Sequence, residues 1–515
     1  MKELPSQSSI GSGDIAAIPM ADSTSRPENL QLGRAARGGL WLGIGQTLGN
    51  LGSWASTLVL ARLLAPESFG IVGMAMVIIG FVNTIGDLGL GAALIQRKHI
   101  DDGHKDAAFW LSFGMGALLF AACAAASPLI ALVYREPRVS GVVVLAACAL
   151  LLSPLFSTHV TLLRRELRFS TVAKVEALRS FVSGAACVAA ALGGLGYWAI
   201  PLGPLVGQVV AIPIYWAAEK FRPALRGSRR HVRELFGFSL FVAGGSAINF
   251  LSANVDYLVV GRALGAGALG IYTLAYQIIT LPLVQISSLF NQVMYPVFSA
   301  AQDDLEQSGK AYLDISRSLA LIGFPILGWI AVVAPDLLFV IYGEKWLGAV
   351  TPLRILCVAG AVKSVGTFVG VVYRSQGRSY VEFYWNIAWF IALSSAVLVG
   401  VRWGSQGVAT AISALCVPGV LFTEWLACRY LHLPFRRFLS VLLVPIVGVS
   451  ALLAAGFGLR TVLLTLPLSP LLAAVARLLI LTLACFVACT VALRVVEPRI
   501  GAQVRAFFTH FRRQS

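Results

Sequence analysis

The stretch from Ser246 to Tyr272 reads SAINFLSANVDYLVVGRALGAGALGIY: an outbound apolar helix, a tight Gly-rich turn and the start of a returning helix. Asn249, Ser252 and Asp256 fall at spacings of three and four and therefore share one helix face. The turn also repeats a stretch two hundred residues earlier. ARLLAPESFGI from Ala61 aligns without a gap on GRALGAGALGI from Gly261, pairing Arg62 with Arg262, Leu64 with Leu264, Gly70 with Gly270 and Ile71 with Ile271.

The surrounding chain is of one kind. Of its 515 residues 57% are hydrophobic and only 12% charged, with a mean hydropathy of +0.80. A soluble protein carries about 25% charged residues, so the expected class is an all-α polytopic membrane protein. Continuous apolar runs favour helices; a membrane barrel would show short alternating segments. The eight cysteines lie in or beside apolar runs and read as small packing residues. A net charge of +16 invites a nucleic-acid partner, but the basic residues form short clusters between apolar spans, where topology determinants sit. No nucleic acid, metal or cofactor is expected.

Fourteen spans are predicted: 38–61, 69–94, 108–133, 140–162, 171–192, 196–217, 235–260, 267–298, 316–341, 351–373, 380–401, 405–428, 438–458 and 470–493. With the N-terminus inside, the cytoplasmic loops hold Arg97 and Lys98, Arg164 to Arg168, Lys220 to Arg233, Arg374 and Arg378, Arg436 and Arg437, and the basic C-terminal tail. This positive-inside bias puts both termini in the cytoplasm.

The repeat then divides the chain. Pairing the first span with the seventh makes two pseudo-symmetric six-helix lobes, 34–218 and 235–431. They are joined by a basic cytoplasmic linker, 219–234, and followed by two extra helices within 432–494. Residues 1–33, rich in Ser, Gly and Pro, read as a disordered tail, and 495–515 as a basic one. Two echoes support the division: LIALVYRE from Leu129 parallels LLFVIYGE from Leu337, and Gly193-x-x-Gly196 parallels Gly404-x-x-Gly407.

No ATPase, zinc-protease or nucleophile-elbow signature occurs, so no enzyme is expected. Polar residues inside spans carry the functional signal, because lipid makes them costly. Lys363, mid-span, and Arg179, one turn after Glu176, either face a cavity that receives an anionic group or pair with carboxylates to hold a lobe together. Asp87 and Asp256 are candidate ion-coupling acids, Asp256 near an outer end that water reaches. Gln277, Thr280, Ser288, Asn291 and Tyr295 form a stripe down the eighth span; with Asn249 they either line a cavity or bond helices together.

The segments DLGLGAALIQRK from Asp87, NVDYLVVGRALGAGALGIYTLAYQI from Asn254, VMYPVFSAAQDD from Val293 and YGEKWLGAVTPLRIL from Tyr342 resemble the polysaccharide transporter family, the Wzx-type flippases of the multidrug/oligosaccharidyl-lipid/polysaccharide flippase superfamily. The resemblance runs from about Arg34 to Leu431 and implies two lobes around a cavity that alternates its access. It also implies a substrate of oligosaccharide on a polyprenyl diphosphate, an O-antigen or exopolysaccharide unit, moved across the bacterial inner membrane. Membrane lipids, and the glycosyltransferases and polymerase of the same pathway, are the partners it suggests. A cation-coupled multidrug antiporter is the alternative within the superfamily. A polymerase or ligase would call for a large periplasmic loop, which the predicted spans do not leave room for.

Overall fold

The computed structural model describes residues 43, 49, 52–86, 91, 94–95, 97, 100–224, 239–300, 305–375, 379–463 and 469–496, with side chains except at 239–247, 286–300, 305, 371, 374–375 and 379–380. The predicted tails, most of the linker and Asp87 lie outside the described residues, as do the side chains of Ser288, Asn291 and Tyr295.

Every described regular element is helical. In chain order the helices are α1 (52–63), α2 (Pro66–Gly86), α3 (Asp102–Tyr134), α4 (Arg138–Leu152), α5 (Pro154–Arg165), α6 (Phe169–Leu192) and α7 (Ala199–Ala218). There follow α8 (Ser239–Ala300), α9 (Leu305–Ile341), α10 (Val350–Gly366), α11 (Val369–Ser375), α12 (Ser379–Gly400), α13 (Gly404–Tyr430), α14 (Phe435–Leu463) and α15 (Pro470–Val496). Among the described residues ten helical stretches are long and apolar enough to cross a membrane, or eleven if α4 and α5 form one bent span. The chain is therefore a multi-pass membrane protein.

Two predicted spans are broken where the sequence reading has them continuous. The fourth bends by 42° between α4 and α5, where Pro154 sits at the first position of the new helix, its missing N–H costing nothing there. The tenth stops at Gly366 and resumes at Val369. Conversely, the seventh and eighth run into one 62-residue helix, α8, interrupted at Gly265. Gly265 adopts φ 82° and ψ −179°, a conformation that only glycine takes without strain.

The repeated turns meet each other. A Cβ on Gly70 would stand 1.7 Å from the carbonyl oxygen of Ala266, and one on Gly270 would stand 1.8 Å from that of Pro66. Residues 66 and 266 occupy the same place in the repeat, as do 70 and 270, so the contact is reciprocal. The start of α2 and the returning arm of α8 touch backbone to backbone, and no side chain fits between them.

The same end of the bundle is tied by exchanged helix caps. The last carbonyls of a helix lack intrahelical donors. Trp346 donates its Nε1–H to Ala61 O at 2.8 Å, and the Lys345 ammonium donates to Arg62 O at 2.8 Å and to Leu64 O. In return the Arg62 guanidinium donates to Ile341 O at 2.8 Å and to Val340 O. The YGEKW loop thus caps α1 while the α1–α2 turn caps α9. In the loop echo, Arg135 and Gly343 both adopt positive φ, 55° and 96°. In the loop between α3 and α4 the Arg138 guanidinium bonds Glu136 and holds its carboxyl below the usual range.

Proline inside a helix frees the carbonyl four residues earlier, and in lipid that oxygen needs another donor. Three such carbonyls are satisfied by side chains. Pro128 frees Ala124 O, which accepts from Ser127 Oγ at 2.9 Å; Pro204 frees Ile200 O, which accepts from Cys187 Sγ at 3.7 Å; Pro335 frees Ala331 O, which accepts from Arg354 Nε at 2.9 Å.

The glycine contact is the most exacting of these features. Gly70→Ala or Gly270→Ala should destabilise the detergent-solubilised protein by about 1–3 kcal/mol or more, the cost of overpacking. Gly267→Ala, with nothing within 4 Å of its added carbon, should leave the midpoint of thermal unfolding unchanged. Equal midpoints for all three variants would contradict the contact.

Candidate functional site

Lys363 occupies the last turn of α10, where a cation also meets the negative end of the helix. Counting from Val350 at 1.5 Å per residue, it lies about 20 Å along the helix, deep in the bundle. Its Nζ is 3.3 Å from Tyr276 Oη and 5.6 Å from that ring's centroid. Tyr276 belongs to a triad of rings with Tyr257 and Tyr272, whose centroids stand 5.8–6.0 Å apart. Tyr272 closes the network by donating its hydroxyl to Asp256 Oδ2 at 2.6 Å. The other Asp256 oxygen accepts from the Tyr257 backbone N–H at 3.0 Å. Both arms of α8 thus meet α10 through a cation, three phenols and a carboxylate.

This arrangement changes the reading of Asp256. The sequence places it near an outer end reached by water, but it is 3% exposed and held by Tyr272. Ser252 is buried and bonded within its own helix to Ile248 O at 2.8 Å, whereas Asn249 is exposed. Of the eighth-span stripe, Gln277 is exposed and Thr280 half-buried.

On its other side Lys363 borders a cavity of about 370 Å³ at the break between α10 and α11. Trp385, Asn386, Trp389 and Glu382 of α12 face it, with Thr367, Tyr373 and Thr423. Trp389 packs closely against α13, since a Cβ on Gly419 would come within 2.3 Å of its ring. Trp385 stands 5.7 Å from Trp389 and stacks on Phe422 at 5.5 Å. Tyr373 Oη is fixed on Thr423 O at 3.0 Å. The wall is therefore rigid and aromatic, with polar groups and one ammonium at its edge. Such a surface suits a ligand that is flat and apolar on one side and rich in hydroxyls or negative charge on the other.

A comparable cavity of about 330 Å³ lies at the other broken span, beside α5. It is lined by Ser157, Thr158, Thr161 and Arg164 of α5, Ser112 of α3 and Glu176 of α6. Here the charges close on each other. Arg179 grips Glu176 Oε2 through Nε at 2.9 Å and a terminal nitrogen at 2.6 Å, while Tyr215 Oη donates to Oε1 at 2.9 Å. The structure thus brings Lys363 and Asp256 into one network and leaves Glu176 and Arg179 as a separate pair on α6.

Sequence reasoning missed Trp385, Asn386 and Trp389, because aromatic residues in an apolar span look like packing. It also missed Glu424 of α13, fully buried and bonded by Tyr312 Oη, with its second oxygen unpartnered among the described residues. A census of every acid within the predicted spans would have found Glu424; nothing in a single sequence singles out the two tryptophans.

The sequence model of a family described as "Polysaccharide biosynthesis protein" matches residues 59–351. The teichuronic acid biosynthesis protein TuaB of Bacillus subtilis is 29% identical over 392 residues, which cover 73% of this chain and 79% of that one. The lipopolysaccharide biosynthesis protein WzxC of Escherichia coli is 26% identical over 395 residues, covering 75% and 80%. The succinoglycan biosynthesis transport protein ExoT of Rhizobium meliloti is 24% identical over 401 residues, covering 77% and 80%. Among solved structures, the lipid II flippase MurJ in an inward closed conformation is similar with a TM-score of 0.72 at 12% identity, covering 90% of this chain and 99% of that one. An inward-facing multidrug resistance MATE family transporter gives 0.57 at 19% identity, covering 75% and 95%. At such identities these two likenesses concern the fold alone.

The buried carboxylate offers a direct check on the network. Tyr272→Phe strands Asp256 without its donor and should cost about 1–3 kcal/mol of stability. Asp256→Asn, which keeps an acceptor oxygen for Tyr272, should cost less. Unfolding in mixed detergent–SDS micelles measures both, and a Tyr272→Phe midpoint equal to wild type would show that the hydroxyl contributes nothing.

Proposed function

Given that the chain belongs to the polysaccharide biosynthesis protein family, matched over residues 59–351, we propose that it flips a polyprenyl-diphosphate-linked oligosaccharide across the bacterial inner membrane. The names of the relatives, biosynthesis and transport proteins for teichuronic acid, lipopolysaccharide and succinoglycan, support this substrate class. The observation that carries it into this chain is the Lys363 cavity, where two tryptophans stand beside an ammonium and several hydroxyl- and amide-bonding groups.

The mechanism follows from that geometry. A sugar ring lays its apolar face on Trp385 and Trp389 and turns its hydroxyls to Asn386, Glu382 and Thr423. The diphosphate is drawn toward Lys363, a compact cation on a flexible stem. The lipid tail stays in the bilayer. No ATP is hydrolysed. In this proposal fourteen helices form two six-helix lobes, 34–218 and 235–431, with two further helices in 432–494 and both termini in the cytoplasm. Support for the lobes comes from the reciprocal contact of Gly70 and Gly270. The exchanged caps among Arg62, Lys345 and Trp346 close the end that the loop charges assign to the periplasm. Outward opening breaks those bonds.

A cation-coupled multidrug antiporter is the second reading, resting on Asp256. It has weaker support, because Asp256 is occupied by Tyr272 and the cavity beside Lys363 presents a cation. The glycosyltransferases and the polymerase of the same pathway supply and consume the proposed substrate.

Deletion of the gene, complemented in its own bacterium, tests the proposal. Lys363→Ala and Trp385→Ala/Trp389→Ala, inserted at wild-type levels, should cut surface polymer by about tenfold or more, equivalent to roughly 1.4 kcal/mol of lost cavity affinity. Lipid-linked oligosaccharide should accumulate on the cytoplasmic leaflet. Full polymer yield from both variants would refute the cavity, and drug sensitivity with normal polymer in the deletion strain would favour the antiporter.

A further inference from the structure

A second charged cluster lies away from the Lys363 cavity, where α9, α10, α14 and α15 converge. Asp336 of α9 is 2% exposed and accepts from Arg460 of α14 at 2.6 Å and from Arg477 of α15 at 2.8 Å. Arg460 also donates to Val332 O at 3.1 Å, beside the Ala331 carbonyl that Arg354 of α10 occupies. The guanidiniums of Arg354 and Arg460 therefore sit on consecutive carbonyls of one helix. Arg354 lies over the Phe457 ring at 5.2 Å and has no carboxylate partner among the described residues.

Two guanidiniums on one carboxylate, with a third beside them, leave an excess of two positive charges. The sequence between α14 and α15, residues 464–468, is Leu-Thr-Leu-Pro-Leu and contains no acid. Asp336 is five residues from the end of α9, Arg354 four from the start of α10, Arg460 three from the end of α14 and Arg477 seven from the start of α15. At 1.5 Å per residue they lie about 5–10 Å in from one end of the bundle, the depth at which headgroups give way to hydrocarbon. Arg460 and Arg477 keep 13% and 17% of their side chains exposed, so the cluster is reachable.

Arg354 also heads a cavity of about 630 Å³ between α9, α10, α13 and α14. From Arg354 to Val365 it follows α10 for about 16 Å, walled by Val358, Leu442, Leu443 and Ile446, with Glu424 at its far end. A cationic mouth on an apolar groove is complementary to a phosphate on an acyl chain. We propose that this is a binding site for a membrane lipid with a phosphate headgroup, the phosphate held by Arg354, Arg460 and Arg477 and one chain lying along α10. Each arginine has planar donors left over that match phosphate oxygens. The site is independent of what the chain transports.

Native mass spectrometry of the protein in dodecyl maltoside provides the test, with dioleoyl phosphatidic acid, dioleoylglycerol and inorganic phosphate as probes. Wild type should retain phosphatidic acid at least tenfold better than either of the others. Arg354→Gln, which keeps a donor for Ala331 O, should lose that preference tenfold with an unchanged melting midpoint. Asp336→Asn, which removes the competing carboxylate, should bind phosphatidic acid more tightly. Equal retention by wild type and Arg354→Gln would overturn the site and leave the cluster as a clamp on α14 and α15. Retention of dioleoylglycerol equal to phosphatidic acid would remove the role of the phosphate, and equal binding of inorganic phosphate would remove that of the chain.

Discussion

Two carbonyl groups and two glycines govern how the arms of this bundle approach. Pro66 O lies against Gly270 and Ala266 O against Gly70, so closely that a single methyl group on either glycine would overlap a backbone oxygen. In lipid the hydrophobic effect does little to drive helix against helix, and close packing of small residues takes its place. A contact made twice by the same repeat positions is self-complementary, as at an isologous dimer interface. Here both copies lie in one chain. Their mutual fit fixes where α2 and α8 cross, and every element joined to them inherits that register.

The helix ends and breaks around this contact obey one rule. A backbone carbonyl without a donor cannot be left in hydrocarbon. Trp346 and Lys345 serve the end of α1, Arg62 serves the end of α9, and Ser127, Cys187 and Arg354 serve oxygens freed by prolines. The caps at the helix ends cross between distant parts of the sequence, so they are the bonds that a relative movement of those parts would exchange with water. The proline repairs lie within one helix, at Ser127, or join helices adjacent in the chain, at Cys187 and Arg354, and would travel with those helices as a unit. One set of interactions thus suits a closing contact and the other a rigid body.

Much of this was legible in the sequence. Apolar runs locate the helices, and the register of ARLLAPESFGI on GRALGAGALGI marks the two turns that meet. The breaks at Pro154 and Gly366 were not legible, because apolar periodicity continues through them while the backbone bends. Nor was the pairing of Lys363 with the Asp256 network. A single sequence shows that both are costly in lipid and that each needs compensation, but not that Tyr276 and Tyr272 supply it. Glu176 and Arg179 were readable as a local pair from their spacing alone, and the structure adds Tyr215 as the third member.

The two broken spans also show how a duplicated frame can hold different chemistry. Beside α5 the acid Glu176 and the base Arg179 neutralise each other, one turn apart on α6, while Arg164 lines the same hollow. Beside α10 an amide and two indoles, Asn386, Trp385 and Trp389, face the hollow, and Lys363 rests on a phenol instead of a carboxylate. A cation held by a neutral partner keeps more of its field for whatever enters the cavity. The two hollows therefore differ in how their charges are held: Glu176 beside the first is matched by the neighbouring Arg179, while Lys363 beside the second leans on the neutral hydroxyl of Tyr276.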